Sequence, residues 1–329
     1  MRGPRWIGFI TYQQRSAKIT VPSTFSSQPT KADRILILHN PKAGARDADG
    51  DVQRLAKLLR QQGYEVEVFT DLAPAAQQAN RLFDEGRLHA LVGVGGDGTA
   101  AELVNRTKEG TPLTWLPRGN SNLLARYLNL DSTPDSLAAT IVQGSLINLD
   151  AGRAAGRIFL LMASCGLDAE VVERVHNRRT GHLSSRTYFK PLWEALRTYE
   201  YPELRVYCDE AMDNGVGAPC LTARWFSVFN LPCYGGGLRF APHAVGNDGQ
   251  LDLCGLRREG FWRFLGYVVA VYLRRHQHMT DWISRRVRRV RIVSDVPVPY
   301  QLDGDPGGWL PLDIEVLPNR LTMLVPKKG

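Results

Sequence analysis

Ala90-Leu91-Val92-Gly93-Val94-Gly95-Gly96-Asp97-Gly98-Thr99 is the stretch on which the fold turns. Its uncharged first half reads as a buried strand, the glycine run as the turn that ends it, and Ala100 to Thr107 as a helix starting on that turn. The same alternation recurs outward. Upstream, Ile35-Leu36-Ile37-Leu38 is a short apolar strand entering the turn Asn40-Pro41-Lys42-Ala43-Gly44. Val52, Leu55, Leu58 and Leu59 mark a helix that stops at Gly63, Val66-Glu67-Val68-Phe69 alternates as a strand ending at Thr70, and a further helix covers 74–85. Downstream, Leu113-Thr114-Trp115-Leu116 is a fourth strand and Leu123 to Leu128 opens the next helix. Strands alternating with helices across short connections build right-handed βαβ units around a parallel sheet. Ligands of such sheets bind at the carboxyl ends of the strands. Asn40, Thr70, the turn at Gly95 and the turn at Gly119 all fall there.

After about Gly152 the texture changes. Ile158-Phe159-Leu160-Leu161, Leu204-Arg205-Val206-Tyr207, Trp225-Phe226-Ser227-Val228-Phe229, Leu251-Asp252-Leu253 and Val290-Arg291-Ile292-Val293 read as strands between Gly- and Asn-bearing turns, the pattern of antiparallel structure. Helices are predicted over 169–177, 188–198 and 261–273, and loops over 181–185 and 212–219. The expected fold class is α/β. Residues 1–30 form a disordered basic extension, 31–152 an N-terminal parallel-sheet nucleotide-binding domain, and 153–329 a mainly antiparallel β second domain. The last strand or strands of the second domain are free to pack back on the first.

Composition bounds the function. Of 329 residues 43% are apolar, enough for a real core, and no stretch has the length of a bilayer span. The best candidate, Phe261 to Leu273, is short and carries Arg263. Cys165, Cys208, Cys220, Cys233 and Cys254 are odd in number, widely spaced and contain no CxxC pair, and His276 with His278 reads as a solvated pair. No zinc site or disulfide framework is expected, and a cytoplasmic setting fits. The net charge of +8 has two sources. One is the acid-free leader with Arg2, Arg5, Arg15 and Lys18, which lacks the apolar core of a secretory signal. The other is the run Arg274, Arg275, Arg285, Arg286, Arg288, Arg289 and Arg291. Beside Phe261, Trp262, Phe264, Tyr267 and Tyr272 these arginines suit peripheral contact with a membrane surface; an ordinary solvated basic face is the other reading, and both stand. No nucleic-acid motif is present and no nucleic-acid partner is expected; a homodimer stays open.

The chemistry centres on Gly95-Gly96-Asp97-Gly98-Thr99. Glycines let a backbone approach a triphosphate with its N–H groups aimed at the oxygens, and the following helix turns its positive end to the same anion. Asp97 would act through a magnesium ion and its waters, and Thr99 would donate a hydroxyl. A plain Gly-Asp-Gly turn is the blander alternative.

Those residues, with Glu102 and Asn105, resemble the nucleotide loop of the diacylglycerol kinase catalytic family, which includes sphingosine, ceramide and bacterial lipid kinases. The resemblance runs from about Arg34 to Pro326. Asn40-Pro41-Lys42-Ala43-Gly44 is similar to its first turn and Thr70 to the threonine ending its second strand. Pro117-Arg118-Gly119-Asn120-Ser121-Asn122-Leu123-Leu124-Ala125-Arg126 is similar to its Pro-Leu-Gly-Thr segment. Gly166 with Asp168, Asn230 with Gly235-Gly236-Gly237 and Pro242, Asp248-Gly249-Gln250-Leu251-Asp252, and Leu302-Asp303-Gly304-Asp305 follow in the family's order. The resemblance implies an ATP-dependent kinase acting on a lipid hydroxyl. It assigns ATP contacts to Asn40, Thr70, Gly96, Asp97, Gly98, Thr99, Ala100, Ala101, Glu102 and Asn120. It also implies a structural Mg2+ at Val245, Asp248 and Gln250, by oxygen ligands that suit a hard cation, and an acidic proton acceptor in the Asp303-Gly304-Asp305 turn. For both acidic segments a simple polar turn is the plainer reading.

The chain departs from the family in places. Asp305 stands where the family has Glu, one methylene longer; Asn120 replaces Thr, and Arg118 replaces Leu. Two rival readings remain, an NAD kinase-type enzyme sharing the Gly-Gly-Asp-Gly-Thr turn and a non-catalytic lipid or nucleotide sensor. The lipid acceptor itself has no motif.

Overall fold

Parallel strands β1 (Arg34–His39), β3 (Leu88–Gly95) and β4 (Pro112–Pro117) sit side by side, with β2 (Glu65–Phe69) outside β1. The structure, a computed structural model, describes residues 32–39, 48–178, 189–209, 218–235 and 237–327. The apolar runs of β1 and β3 are continuous because helices cover both faces of the sheet. Ile35, Ile37, Val92 and Val94 face α1 (Asp49–Gln61) and α5 (Pro134–Gln143). Leu36, Leu38 and Leu91 face α2 (Leu72–Asp84) and α3 (Asp97–Arg106). The edge strand β2 keeps Glu65 and Glu67 exposed, charges that discourage further strand pairing. The short helix α4 (Leu123–Tyr127) follows β4.

Beyond α5 the long strand β5 (Ser145–Ala154) pairs with β6 (Arg157–Phe159) and with the last strand, β18 (Leu312–Val325). β18 enters the sheet beside β4, parallel through Thr322↔Pro112 and Met323↔Leu113. Its first half runs antiparallel to β15 (Arg289–Val293), which leads to β8 (Leu204–Cys208) and β9 (Leu221–Ala223). One ten-stranded sheet therefore spans both halves of the chain.

A second, six-stranded sheet is antiparallel throughout, in the order β14 (Trp282–Val287), β13 (Leu251–Leu256), β10 (Trp225–Phe229), β7 (Met162–Cys165), β16 (Pro299–Leu302) and β17 (Asp305–Trp309). Its inner face packs on β8, β15 and β18 through Phe226, Val228, Leu253, Ile292 and Ile314. The parallel-then-antiparallel architecture expected from the sequence is thus present. The ribbon β11 (Cys233–Tyr234) and β12 (Leu238–Arg239), the packed helices α6 (Leu167–Asn177) and α7 (Phe189–Thr198), and α8 (Phe261–Tyr272) complete the second domain.

Two expectations are corrected. Cys208 and Cys220 form a disulfide with Cα atoms 6.3 Å apart: the antiparallel pairing of β8 and β9 closes the sequence gap between them. Cysteine spacing therefore carries no argument for a reducing compartment. His276 is buried, 1% exposed, with its Nε2 2.9 Å from the Phe240 carbonyl and its ring edge-on to Trp282. The 1–30 extension, the turn at 40–44 and the loops at 181–185 and 212–217 lie outside the described residues. Among the described residues no helix is long and apolar enough to cross a membrane.

Candidate active site

Gly96 precedes the first turn of α3 and lies against Gly119, in the turn after β4. A Cβ on Gly119 would come within 2.5 Å of the Gly96 Cα, and the Arg118 N–H donates to the Gly95 carbonyl at 2.9 Å. Two backbones touch here, so these glycines are explained within the protein itself. Gly98 differs: a Cβ on it would meet nothing within 4 Å. Glycine inside a helix costs about 1 kcal/mol relative to alanine, and no neighbour demands it. The open space above Gly98, beside first-turn N–H groups that an α-helix leaves without intrahelical acceptors, is a cradle that fits an anionic oxygen group.

Asp97 opens α3 with both carboxylate oxygens engaged. Its Oδ2 accepts the Leu123 N–H at 2.9 Å and its Oδ1 the Leu124 N–H at 3.0 Å. Asn122, in the left-handed region at φ 48°, clasps Gly119 through both atoms of its side-chain amide. Asp97 thus welds the glycine loop to the start of α4. Burial raises its pKa, against the two N–H groups and Arg126.

The other nucleotide candidates divide. Ala100 and Ala101 are 0% and 2% exposed with their methyls in the core, so only their backbone is available. Thr99 packs over Gly95, where a Cβ would crowd its hydroxyl. Thr70 is exposed at the end of β2 and Asn120 is exposed in the Gly119 turn; Asn40 lies outside the described residues. Glu102 pairs with Arg106 at 3.0 Å and with Arg157 at 3.5 Å.

The acidic turn meets this loop through one segment, 157–162. Asn105 of α3 bonds both the N–H and the carbonyl of Ile158, each at 2.8 Å. Two to four residues on, the carboxylate of Asp303 accepts the N–H groups of Leu160 (2.7 Å), Leu161 (2.8 Å) and Met162 (3.0 Å). Arg157 reaches Asp305 at 3.2 Å as well as Glu102. Burial pushes the Asp303 carboxyl up to about 6, opposed by those three N–H groups and reinforced by the nearby charge of Asp97. The loop at 97 and the turn at 303 therefore share one locality.

Gln301, 0% exposed, connects the turn to the interior. Its carbonyl accepts the Gly304 N–H at 2.7 Å and its nitrogen lies 2.8 Å from Ser164 Oγ and 3.3 Å from the Tyr234 hydroxyl. Ser164 donates to Asp168, which also takes the Trp225 indole N–H at 2.7 Å. Burial raises the pKa of Asp168. Past Trp225 lies an apolar cavity of about 50 Å³ walled by Phe229, Phe240 and Leu256 and roofed by Tyr267 and Val271 of α8. Sequence reasoning missed Arg157 and Gln301. A polar residue inside the otherwise apolar run Pro299-Tyr300-Gln301-Leu302 was the available signal for the second; the first had none.

The Asp248 turn does not suit a cation. Arg286 ion-pairs with Asp248, whose Oδ1 also accepts the Gln250 N–H at 3.1 Å. The Val245 carbonyl accepts the Asn247 N–H at 2.8 Å. The neighbouring acid, Asp150, is 1% exposed and already takes the N–H groups of Gly249 and Asn319 at 2.7 and 2.8 Å. Among the described residues no cluster of three metal-ligating side chains occurs. A guanidinium neutralises the one carboxylate a magnesium ion would need, so Val245, Asp248 and Gln250 do not fit the expected metal.

A parallel-sheet domain with an anion cradle, joined to an antiparallel sandwich carrying an acidic turn, is the build of the lipid and nucleotide kinases. The family model for the diacylglycerol kinase catalytic domain matches residues 34–154, and that for the YegS C-terminal NAD kinase beta sandwich-like domain matches 162–325. The chain belongs to the diacylglycerol kinase catalytic-domain family. It is 27% identical over 304 residues to the diacylglycerol kinase of Bacillus subtilis (strain 168), covering 90% of this chain and 97% of that one. The crystal structure of a diacylglycerol kinase from Bacillus anthracis str. Sterne shares the fold with a TM-score of 0.64 at 18% identity, covering 90% of this chain and 98% of the other. An NAD kinase from Archaeoglobus fulgidus, solved with ATP, shares it at 0.52 and 14% identity, covering 90% and 94%.

Three outcomes follow from this geometry. Asp97→Asn leaves an amide NH2 against one of the two Leu N–H donors, so chemical denaturation should show a loss of about 1–3 kcal/mol. If the ionised Asp303 is the working form, kcat/KM should climb with pH through about 6 and then level. The stability effect of that group has the opposite sign: present below the unfolded carboxyl pKa near about 4, lost as pH rises through the folded value. A rate profile flat across that range removes Asp303 as the titrating group. Finally, a chelator should leave the melting temperature unchanged, whereas Arg286→Gln should lower it by roughly 2–4 °C and make it respond to added Mg2+.

Proposed function

We propose that the protein is an ATP-dependent lipid kinase that transfers the γ-phosphoryl group to a hydroxyl of a diacylglycerol- or sphingoid-type acceptor. The observation carrying this reading is the continuity from cradle to cavity. The open space at Gly98, the acidic turn at Asp303 and the aromatic cavity beyond Trp225 are linked by Asn105, segment 157–162 and Gln301. A polar phosphate site connected through hydrogen-bonded residues to an apolar, aromatic cavity suits an acceptor whose hydroxyl adjoins hydrocarbon.

In this reading ATP enters as the magnesium complex, both being substrate. First-turn N–H groups of α3 bind its phosphate oxygens, and the missing side chain at Gly98 lets them come close. Asp303, poised near neutrality, takes the proton as the acceptor oxygen attacks the γ-phosphorus and ADP leaves. Little basicity is needed, because phosphoryl transfer runs mainly on positioning and charge stabilisation. Arg157, between Glu102 and Asp305, supplies positive charge beside the phosphates. Such an acceptor resides in a membrane, so the protein is expected to work peripherally at its surface.

Incubating the purified full chain with ATP labelled at the γ-position tests this. Dispersed diacylglycerol, phosphatidylglycerol, sphingosine and ceramide are offered alongside NAD. Label should enter a lipid and not NAD, and Asp303→Ala should abolish transfer while nucleotide still binds. Labelled NADP instead would assign the NAD kinase reading; ATP binding with no transfer to any acceptor would assign the sensor.

A further inference from the structure

One surface is unexplained by either the fold or the site. Helix α8 has two apolar faces. Phe264, Tyr267, Val268 and Val271 recur at helical spacing on the inner one and close the cavity. There the Tyr267 hydroxyl and Arg263 are secured to buried Asp281 at 2.5 and 3.0 Å. On the opposite face Trp262, Leu265, Val269, Tyr272 and Leu273 recur at the same spacing, 79, 41, 50, 66 and 57% exposed. A helix that is apolar all round belongs in a core or against lipid, yet among the described residues the outer stripe of this one stays exposed. Contiguous exposed apolar surface of this kind marks a docking site.

Charge selects the occupant. Between Phe261 and Thr280 the chain carries Arg263, Arg274 and Arg275 and no acid. Just ahead of the helix Arg258 is exposed but turned to Asp281 at 3.8 Å, and the neighbouring acid, Glu259, is turned to Arg224 at 3.3 Å. Trp262 and Tyr272, near the two ends of the stripe, are the ring types that settle at a lipid–water boundary. A second copy laid on the same stripe would bring Arg274 and Arg275 against their own counterparts, with no acid between Phe261 and Thr280 to offset them. We propose that the outer face of α8 docks the protein on an anionic lipid surface. The Trp262–Leu273 stripe sinks among acyl chains while Arg274 and Arg275 rest on headgroup phosphates. The inner face roofs the cavity, so docking sets membrane lipid one helix thickness from it; that consequence rests on the lipid-kinase reading, the docking does not.

Vesicle sedimentation of the full chain without nucleotide tests the docking separately from catalysis. The unaltered protein should pellet with vesicles of phosphatidylcholine mixed with phosphatidylglycerol. Trp262→Ser with Leu265→Ser should weaken that partition at least about tenfold, with an unchanged melting temperature. Arg274→Gln with Arg275→Gln should weaken it about tenfold on the anionic vesicles and little on pure phosphatidylcholine. No vesicle binding by the unaltered chain, or binding indifferent to both pairs, overturns the proposal. So does a concentration-dependent dimer that the serine pair dissolves while vesicle binding persists, which would give the face to a second copy.

Discussion

Three consecutive N–H groups, those of Leu160, Leu161 and Met162, converge on one carboxylate, that of Asp303. They lie where the chain leaves β6 in the ten-stranded sheet and enters β7 in the six-stranded one. A chain crossing between sheets has no ladder partner for its donors there, and buried donors left alone are costly. An acceptor with several lone pairs answers the need. Asp303 can point that way because its own backbone sits in the left-handed region at φ 54°. With Asn105 bonded to Ile158 just upstream, one short segment ties the helix after the phosphate cradle to the acidic turn.

The aspartates around this site look alike in sequence and do different work. Asp97 bridges a glycine loop to a short helix. Asp303 secures a crossover and remains titratable near neutrality. Asp150 ties the turn at Gly249 to Asn319 of β18. Asp248 is neutralised by Arg286. What separates them is how many N–H donors or cations surround each and how much water is excluded, the quantities that govern charge in a low-dielectric setting.

Helix α8 is apolar on both sides. Its inner face continues the aromatic wall of Trp225, Phe229 and Phe240, its outer stripe is exposed, and a single buried acid, Asp281, fixes its rotation through Tyr267 and Arg263. Rotation matters more than composition here, since turning the helix would swap which apolar stripe meets protein.

The parallel sheet, the glycine loop and the order of the acidic turns were legible in the residues. Continuous apolar runs between short turns leave the chain few ways to bury them, and glycine spacing restricts the backbone locally. Long-range partnership was not legible. That Cys208 meets Cys220, that Arg286 rather than a cation meets Asp248, and that Asp97 answers α4 all depend on residues far apart in the chain. Local periodicity reports burial and conformation along a segment. Which donor faces which acceptor is settled only when packing brings the segments together, because a hydrogen bond or ion pair is decided within about 3 Å and no pattern along the chain measures that distance.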